Sequence, residues 1–337
     1  MNTPPFEVND KIINMVAEIT NKLGKLEARL DRRKSLYLRK ASKVKSVNSS
    51  CAIEANTLTE QQVEGIINGK RIIAPPGEIL EIKNAYEAYL RIASFKPYEV
   101  KSFLEAHRIL TDHLIQDAGK FRAGDVAVYE NERVVHVGAR PRFIHGLVDD
   151  LFAWAGASEL NALLKACIVH YEIETIHPFS DGNGRIGRLW QSVILYHYNQ
   201  LFELIPIETL VYENQQRYYD AIEASRKNNS ATVFVEFMLE MVSKTIDSFI
   251  GDKSELREIK EAYLWRLTKN EKQVLENIVH SFKPGDIITM EKLNEKLNKA
   301  NSTIRNHLRK FTDCNILIAA GENKGRKYTI NPDIFDI

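Results

Sequence analysis

The stretch from Leu160 to Arg188 constrains this chain more than any other. Leu160, Leu163, Leu164, Cys167, Ile168, Tyr171 and Ile176 recur in a helical rhythm. Pro178 then stops the run, because it lacks an amide hydrogen and clashes with the preceding turn. Gly182, Asn183 and Gly184 form a loop of small residues directly before a second helical pattern. Glycine lets backbone amides converge there, and a helix N-terminus behind them adds roughly half a positive charge. The break therefore reads as an anion-binding nest suited to phosphates. Arg185 and Arg188, three apart, project from one helix face and can each fork onto phosphate oxygens. Asp181 is a hard oxygen ligand at the loop mouth, able to hold Mg²⁺ together with those phosphates. His177, with an intrinsic pKa near ~6.5, suits a general base at neutral pH.

Two other readings of these residues fail on context. Gly182-x-Gly184-x-x-Gly187 spells a dinucleotide fingerprint, but that fingerprint follows a strand and here a helix precedes it. His170, Glu174 and His177 share one helix face, as zinc ligands would. No HExxH accompanies them, and Pro178 puts His177 at the helix end.

The rest of the chain reads as mainly helical. Ile12, Ile13, Val16, Ile19, Leu23, Leu26 and Leu30 predict one long helix over 9–47, capped by Asn9 or Asp10. Its basic stretch, RRKSLYLRKASKVK, reads as a solvated face. Small residues dominate Ser49–Asn56, and Thr59-Glu60-Gln61-Gln62 fits a capping box. APPG at 74–77 breaks the chain before a helix over 78–93. A helix over 100–115 precedes an alternation of Val126 and Val128, a turn at Tyr129-Glu130-Asn131-Glu132, then Val134, Val135 and Val137. One such β-hairpin cannot build a sheet core, so it has a surface role. Helices over 143–154 and 158–176, and more to about Phe249, complete this part. GDKSELREIK at 251–260 is the expected hinge. Beyond it come helices over 269–280, 290–297 and 302–311, with a turn at 299–302 before the third. A hairpin of 316–320, a GENKG turn and 326–330 follows. That is the order of a winged helix-turn-helix. The expected organisation is an N-terminal helical region over 1–97, a core domain over 98–250 and a winged-helix domain over 257–337.

Composition narrows the partners. The 337 residues carry 46 Lys and Arg against 45 Asp and Glu, a net charge of +1, so any nucleic-acid contact needs a local patch. The stretch 257–337 is more basic, with 15 Lys and Arg against 11 Asp and Glu. Asn301, Ser302, Thr303, Arg305, Asn306, Arg309 and Lys310, with Lys324, Arg326 and Lys327 on the wing, could meet phosphates or base edges. Cys51, Cys167 and Cys314 are odd in number and form no CxxC pair, which excludes a disulfide scaffold and fits a cytoplasmic location. No apolar run approaches the roughly 20 residues of a membrane span, and the N-terminus has no basic-then-apolar signal pattern.

HPFSDGNGRIGR (177–188) resembles, without departure, the His-Pro-Phe-x-Asp/Glu-Gly-Asn-Gly-Arg-x-x-Arg signature of Fic-domain proteins. The similarity continues through GKFR (119–122), the hairpin, HYEIETIHPF (170–179) and RYYDAIEASR (217–226). The resemblance implies a mainly α Fic-type domain with one β-hairpin flap, and transfer of AMP from ATP to a protein Ser, Thr or Tyr hydroxyl. It implies that His177 deprotonates the hydroxyl, that Phe179 anchors the loop and that Asp181 binds Mg²⁺. Gly182, Asn183 and Gly184 would hold the α- and β-phosphates, Arg185 the leaving pyrophosphate and Arg188 the γ-phosphate, with Tyr218 near the adenine. The flap would dock the target protein as an added strand. Autoinhibited relatives carry Ser/Thr-x-x-x-Glu-Gly/Asn on a helix. Ser50-Cys51-Ala52-Ile53-Glu54 matches it within an inhibitory helix over about 47–56, but Ala55 stands where Gly or Asn is usual. Glu54 would then pair with Arg188. Removal of AMP, or transfer of another phosphate group, is the alternative within the family, and DNA binding through the winged helix the alternative outside it. The other partners expected are a protein at the winged helix and a second copy of the chain; no membrane partner is expected.

Overall fold

The computed structural model describes residues 3–29, 35–130, 133–251, 267–283, 286–297, 301–313, 316–321 and 326–331. It divides into two compact units, Met1–Ile250 and Gly251–Ile337. The expected hinge over 252–260, the tip of the first hairpin at 131–132, the GENKG turn beyond Gly321, Lys324 and Cys314 lie outside the described residues.

The first unit is helical apart from one hairpin. Helix α1 (Asp10–Arg29) starts where Asn9 Oδ1 accepts the Ile12 amide, and buries Ile12, Ile19, Leu23 and Leu26. Helix α2 (Ser35–Ile53) buries Val44, Val47, Cys51 and Ile53. The single helix expected over 9–47 is thus described as two pieces, with residues 30–34 undescribed between them. The second piece runs on through the small residues to Ile53, because Ser46, Ser49 and Ser50 are buried against partners that keep them helical. Helix α3 (Glu60–Ile67) begins at the expected capping box: Thr59 and Gln62 satisfy each other's backbone amides. Helices α4 (Pro76–Leu90) and α5 (Val100–Leu110) follow. Strands β1 (Ala127–Glu130) and β2 (Arg133–Val137) pair antiparallel, with an irregularity between Val128 and Tyr129. Then come α6 (Pro141–Ala157), α7 (Ala162–Ile176), α8 (Asn183–Tyr198), α9 (Ile207–Glu213), α10 (Gln215–Lys227) and α11 (Thr232–Gly251).

Packing explains what sits beside the glycine loop. Helices α7 and α8, joined by residues 177–182, form the centre. A single apolar core runs from Ile12 to Ile246, so the residues before 97 share it and form no separate layer. Helix α1 is tied to α11 by Lys11–Glu236 and Lys22–Asp247 ion pairs. Helix α2 sits on the segment 203–209. Lys43 and Arg39 hold Glu203, Ser42 donates to the Leu204 carbonyl, and Ser46 to Glu208.

The second unit holds α12 (Lys269–Ser281), α13 (Met290–Leu297) and α14 (Asn301–Asp313), then strands β3 (Leu317–Ala320) and β4 (Lys327–Ile330), which pair antiparallel. Ile288 adds a bridge to Tyr328. Its own core includes Val274, Ile278, Leu293, Ile304, Leu308, Phe311 and Ile330. Among the described residues, no helix is long and apolar enough to cross a membrane.

Candidate functional site

The loop between α7 and α8 is held in shape by residues on both of its sides. His177 ends α7 in the left-handed region, with φ of 53°. Gly182 caps α8 at φ of 81°, where a Cβ would lie 2.9 Å from Thr111. Asn183 closes the loop upon itself: its Oδ1 accepts the Phe179 amide and its Nδ2 donates to the Phe179 carbonyl, both at 2.9 Å. The Asn183 side chain is therefore consumed by the loop, and only its backbone can face an anion. Phe179 is fully buried and stacks on His107, ring centroids 3.5 Å apart and 5° from parallel. The Gly119 amide donates to His107 Nδ1, so the ring proton resides on Nε2 and is donated to the Asp181 carbonyl at 2.9 Å. Arg122 is buried and donates to the carbonyls of His177, Gly124 and Ala139.

The titratable groups are in states that suit acid–base work. Burial lowers the His177 pKa, while the Glu174 carboxylate pulls it back up and Arg226 and Arg122 push it down. The imidazole is thus neutral and able to accept a proton at neutral pH. His136 on β2 meets it edge-on, with centroids 6.3 Å apart. Beneath the loop, burial opposes ionisation of Glu174, but the neighbouring His170, His177 and Arg188 bring its pKa down to about 2.

Both arginines of the fingerprint are engaged by carboxylates. Arg188 is almost fully buried. Its Nε donates to Ser50 Oγ at 3.1 Å, and its Nη2 to the Ser50 carbonyl at 3.0 Å and to Glu54 Oε1 at 2.6 Å. Burial works against the Arg188 charge, yet Glu54, Tyr218 and Glu174 raise its pKa above the usual arginine value. Arg185 Nη1 meets Glu81 Oε1 at 2.6 Å and its Nη2 meets Asp181 Oδ2 at 3.2 Å, while its Nε is buried without a hydrogen-bond partner. Burial raises the Glu81 carboxyl, with Arg185 and Asn56 pulling it back. A Cβ on Gly184 would clash with Glu54 Oε1. The carboxylate thus fills the open space over the nest.

The structure brings together Ser50, Glu54, His177, Asp181, Gly182, Asn183, Gly184, Arg185 and Arg188. Tyr218 lies in the core beneath the loop. It is 1% exposed, and its hydroxyl is spent on Glu174 Oε1 and His170 Nε2 within the core. Its neighbour Tyr219 is 44% exposed, and its hydroxyl donates to the Ile53 carbonyl beside Glu54. Glu81, His107 and Asn56 were not singled out from sequence. His107 had a usable signal, a polar residue on the face that also buries Phe103, Ala106 and Leu110. Glu81 had none, since nothing in an amphipathic helix says which carboxylate meets a distant arginine. Asp181 is the open carboxylate at the mouth, its side chain 59% exposed. Among the described residues no cluster of three or more His, Cys, Asp or Glu forms a metal cage. One open carboxylate suits Mg²⁺ carried in on phosphates, which needs only one or two protein oxygens.

Residues 97–195 match the model of the Fic/DOC family. The protein adenylyltransferase Fic of Culex quinquefasciatus is 26% identical over 229 residues, 64% of this chain and 43% of that protein. The protein adenylyltransferase Fic of Drosophila grimshawi is 26% identical over 275 residues, 76% of this chain and 54% of that protein. The chain thus spans about half the length of the curated relatives it matches. A Fic family protein from Desulfovibrio desulfuricans superposes with a TM-score of 0.73 at 29% identity, covering 98% of both chains. Fic-1 from C. elegans shares the fold, with a TM-score of 0.60 at 19% identity over 71% of this chain and 72% of that one.

Proposed function

We propose, from the premise that this chain carries a Fic domain, that it is a protein adenylyltransferase held in check by Glu54. The observation that carries this reading is the convergence on one helix N-terminus of a neutral histidine, a glycine nest and two buried guanidinium groups. In the reaction, a hydroxyl oxygen of the target attacks the α-phosphorus of ATP. His177 takes the hydroxyl proton, the α-phosphorus–oxygen bond to the β-phosphate breaks, and pyrophosphate leaves. The amides of Gly182, Asn183 and Gly184 hold phosphate oxygens. Arg185 offsets charge on the leaving pyrophosphate and Arg188 holds the γ-phosphate. Asp181 would hold Mg²⁺, which supplies neutralisation of the phosphate charge. Strand β2 of the hairpin offers an edge to which a target segment can add as a strand.

Glu54 supports the inhibited reading in two ways. It takes the Arg188 contact a γ-phosphate would need, and its charge over Gly184 repels an incoming anion. Labelled ATP gives the test. Glu54→Gly should raise incorporation of AMP into the chain itself or into a lysate protein at least tenfold, and His177→Ala in that background should abolish it. No gain from Glu54→Gly would remove the inhibition. Label arriving from γ-phosphate, or loss of AMP from a modified target, would replace AMP transfer by the alternative chemistry.

A second role rests on the C-terminal unit. Ser302, Arg305, Asn306 and Arg309 are exposed along α14, whereas Ile304, Leu308 and Phe311 are buried. Lys310 is held by Glu271 and adds less to that face. We propose that this exposed face serves as the recognition helix of a winged helix-turn-helix, with duplex DNA as its partner. Binding of the full chain to duplex DNA that weakens steeply with salt, and is lost in Arg305→Ala/Arg309→Ala, would support it. A salt-insensitive or absent shift would assign the unit to protein contacts.

A further inference from the structure

Arg185 has two carboxylate partners of different kinds. Asp181 is open to solvent at the loop mouth and is the group that a phosphate-borne cation would draw away. Glu81, on α4, is enclosed: its side chain is 14% exposed and that of Arg185 is 6% exposed. Glu81 spends its second oxygen on Asn56, whose Nδ2 donates to Oε2 at 2.7 Å. Asn56 is itself buried. It donates also to the Glu78 carbonyl, and its Oδ1 accepts the Leu58 amide, which fixes its amide plane. Asn56 stands two residues after Glu54 and follows Ala55, the turn that ends the inhibitory helix. One carboxylate therefore touches, on one side, an arginine in the first turn of α8 and, on the other, the chain leaving Glu54.

We propose that Glu81 is the positioning residue for Arg185, and that through Asn56 it ties the pose of that arginine to the turn carrying Glu54. Arg185 has a long side chain that must be held to act on charge that develops late, because a guanidinium free to rotate gives up part of its stabilisation to ordering. Asp181 cannot do this once it turns to a cation. Glu81 can, because it approaches from outside the loop and keeps its partner whether or not nucleotide is present. Nη2, once Asp181 turns to the cation, is left to meet a phosphate oxygen. This inference rests on the reading of Arg185 as the partner of the leaving pyrophosphate.

The two readings fail separately in one set of measurements on the full chain in the Glu54→Gly background. Calorimetry gives the Kd for ATP, and labelled ATP gives kcat and KM for AMP incorporation. If Glu54→Gly neither binds ATP nor transfers AMP, the enzyme reading falls and this one with it. If Glu54→Gly is active, adding Glu81→Gln should lower kcat about tenfold while changing the Kd for ATP less than about threefold. Asn56→Ala should lower kcat about threefold, and should cost nothing further once Glu81→Gln is present. An unchanged or raised kcat in Glu81→Gln overturns the proposal, and so does a loss of ATP affinity that accounts for the whole effect. Strictly additive effects of Asn56→Ala and Glu81→Gln overturn the tie to the Glu54 turn. Should Glu81→Gln melt early, Asn56→Ala alone decides, with an unchanged kcat counting against the proposal.

Discussion

Glu54 Oε1 lies 2.6 Å from Arg188 Nη2 and so close over Gly184 that a Cβ there would clash with it. On the proposed function, Glu54 and a bound phosphate would compete for the space above Gly184. A methyl group at 184 would press on the far ends of two flexible side chains, Glu54 and Arg188, so the fold survives the change. Gly184→Ala should expel Glu54 yet also fill the nest. It should therefore give no gain in AMP incorporation, unlike Glu54→Gly. In the Glu54→Gly background it should weaken ATP binding tenfold or more, about 1.4 kcal/mol, by calorimetry.

Ala55 adopts φ of 69°, a left-handed conformation that costs a residue with a Cβ about 1–2 kcal/mol. Ala55→Gly should relieve this strain and stabilise the fold by about 1 kcal/mol, read as a raised midpoint in urea with an unchanged slope. Basal AMP incorporation should fall or stay level, because the turn that presents Glu54 becomes more stable.

Glu208 is buried and accepts three hydroxyl donors: Ser46 at 2.7 Å, Tyr89 at 2.8 Å and Ser192 at 2.8 Å. It is a seat on which α2, α4 and α8 meet. Glu208→Ala strands three buried hydroxyls and should destabilise the first unit by about 3 kcal/mol in denaturant unfolding. Glu208→Gln, which keeps two acceptor lone pairs, should cost less.

Two histidines set an acid limit. Burial holds His107 at a pKa of about 4, and burial with the nearby Arg226 charge does the same for His136. Both folded-state values lie below the unfolded value near ~6.5, so the unfolded chain binds more protons between those limits. Stability is therefore full above about pH 6.5 and falls as the pH drops toward 4, with His107 contributing about 3 kcal/mol of that loss. His107→Gln should flatten the pH dependence of the unfolding midpoint over this window.

Much of the site was legible because its chemistry is local. Pro178, the glycines and the two arginines fall within twelve consecutive residues, and helix periodicity places them without tertiary information. Ser50 and Glu54 were legible through their spacing and the match to a known pattern. Elements with strong local signals emerged as expected, including the capping box at Thr59 and the lone hairpin. What was hidden depends on long-range packing. Tyr218 belongs to a buried network because Glu174 and His170 lie one helix away, and no property of its own sequence neighbourhood reveals that. The left-handed turn at His177 was hidden as well, since only the packing of the loop demands it.

The continuity of the hydrophobic interior from Ile12 to Ile246 bears on how such a protein can be switched on. Removal of the residues before 97 would strip Val47, Cys51, Ile82 and Tyr89 from the helices that rest on them. Their loss exposes apolar surface on the helices left behind. On the proposed inhibition by Glu54, release of that carboxylate has to leave this shared interior intact.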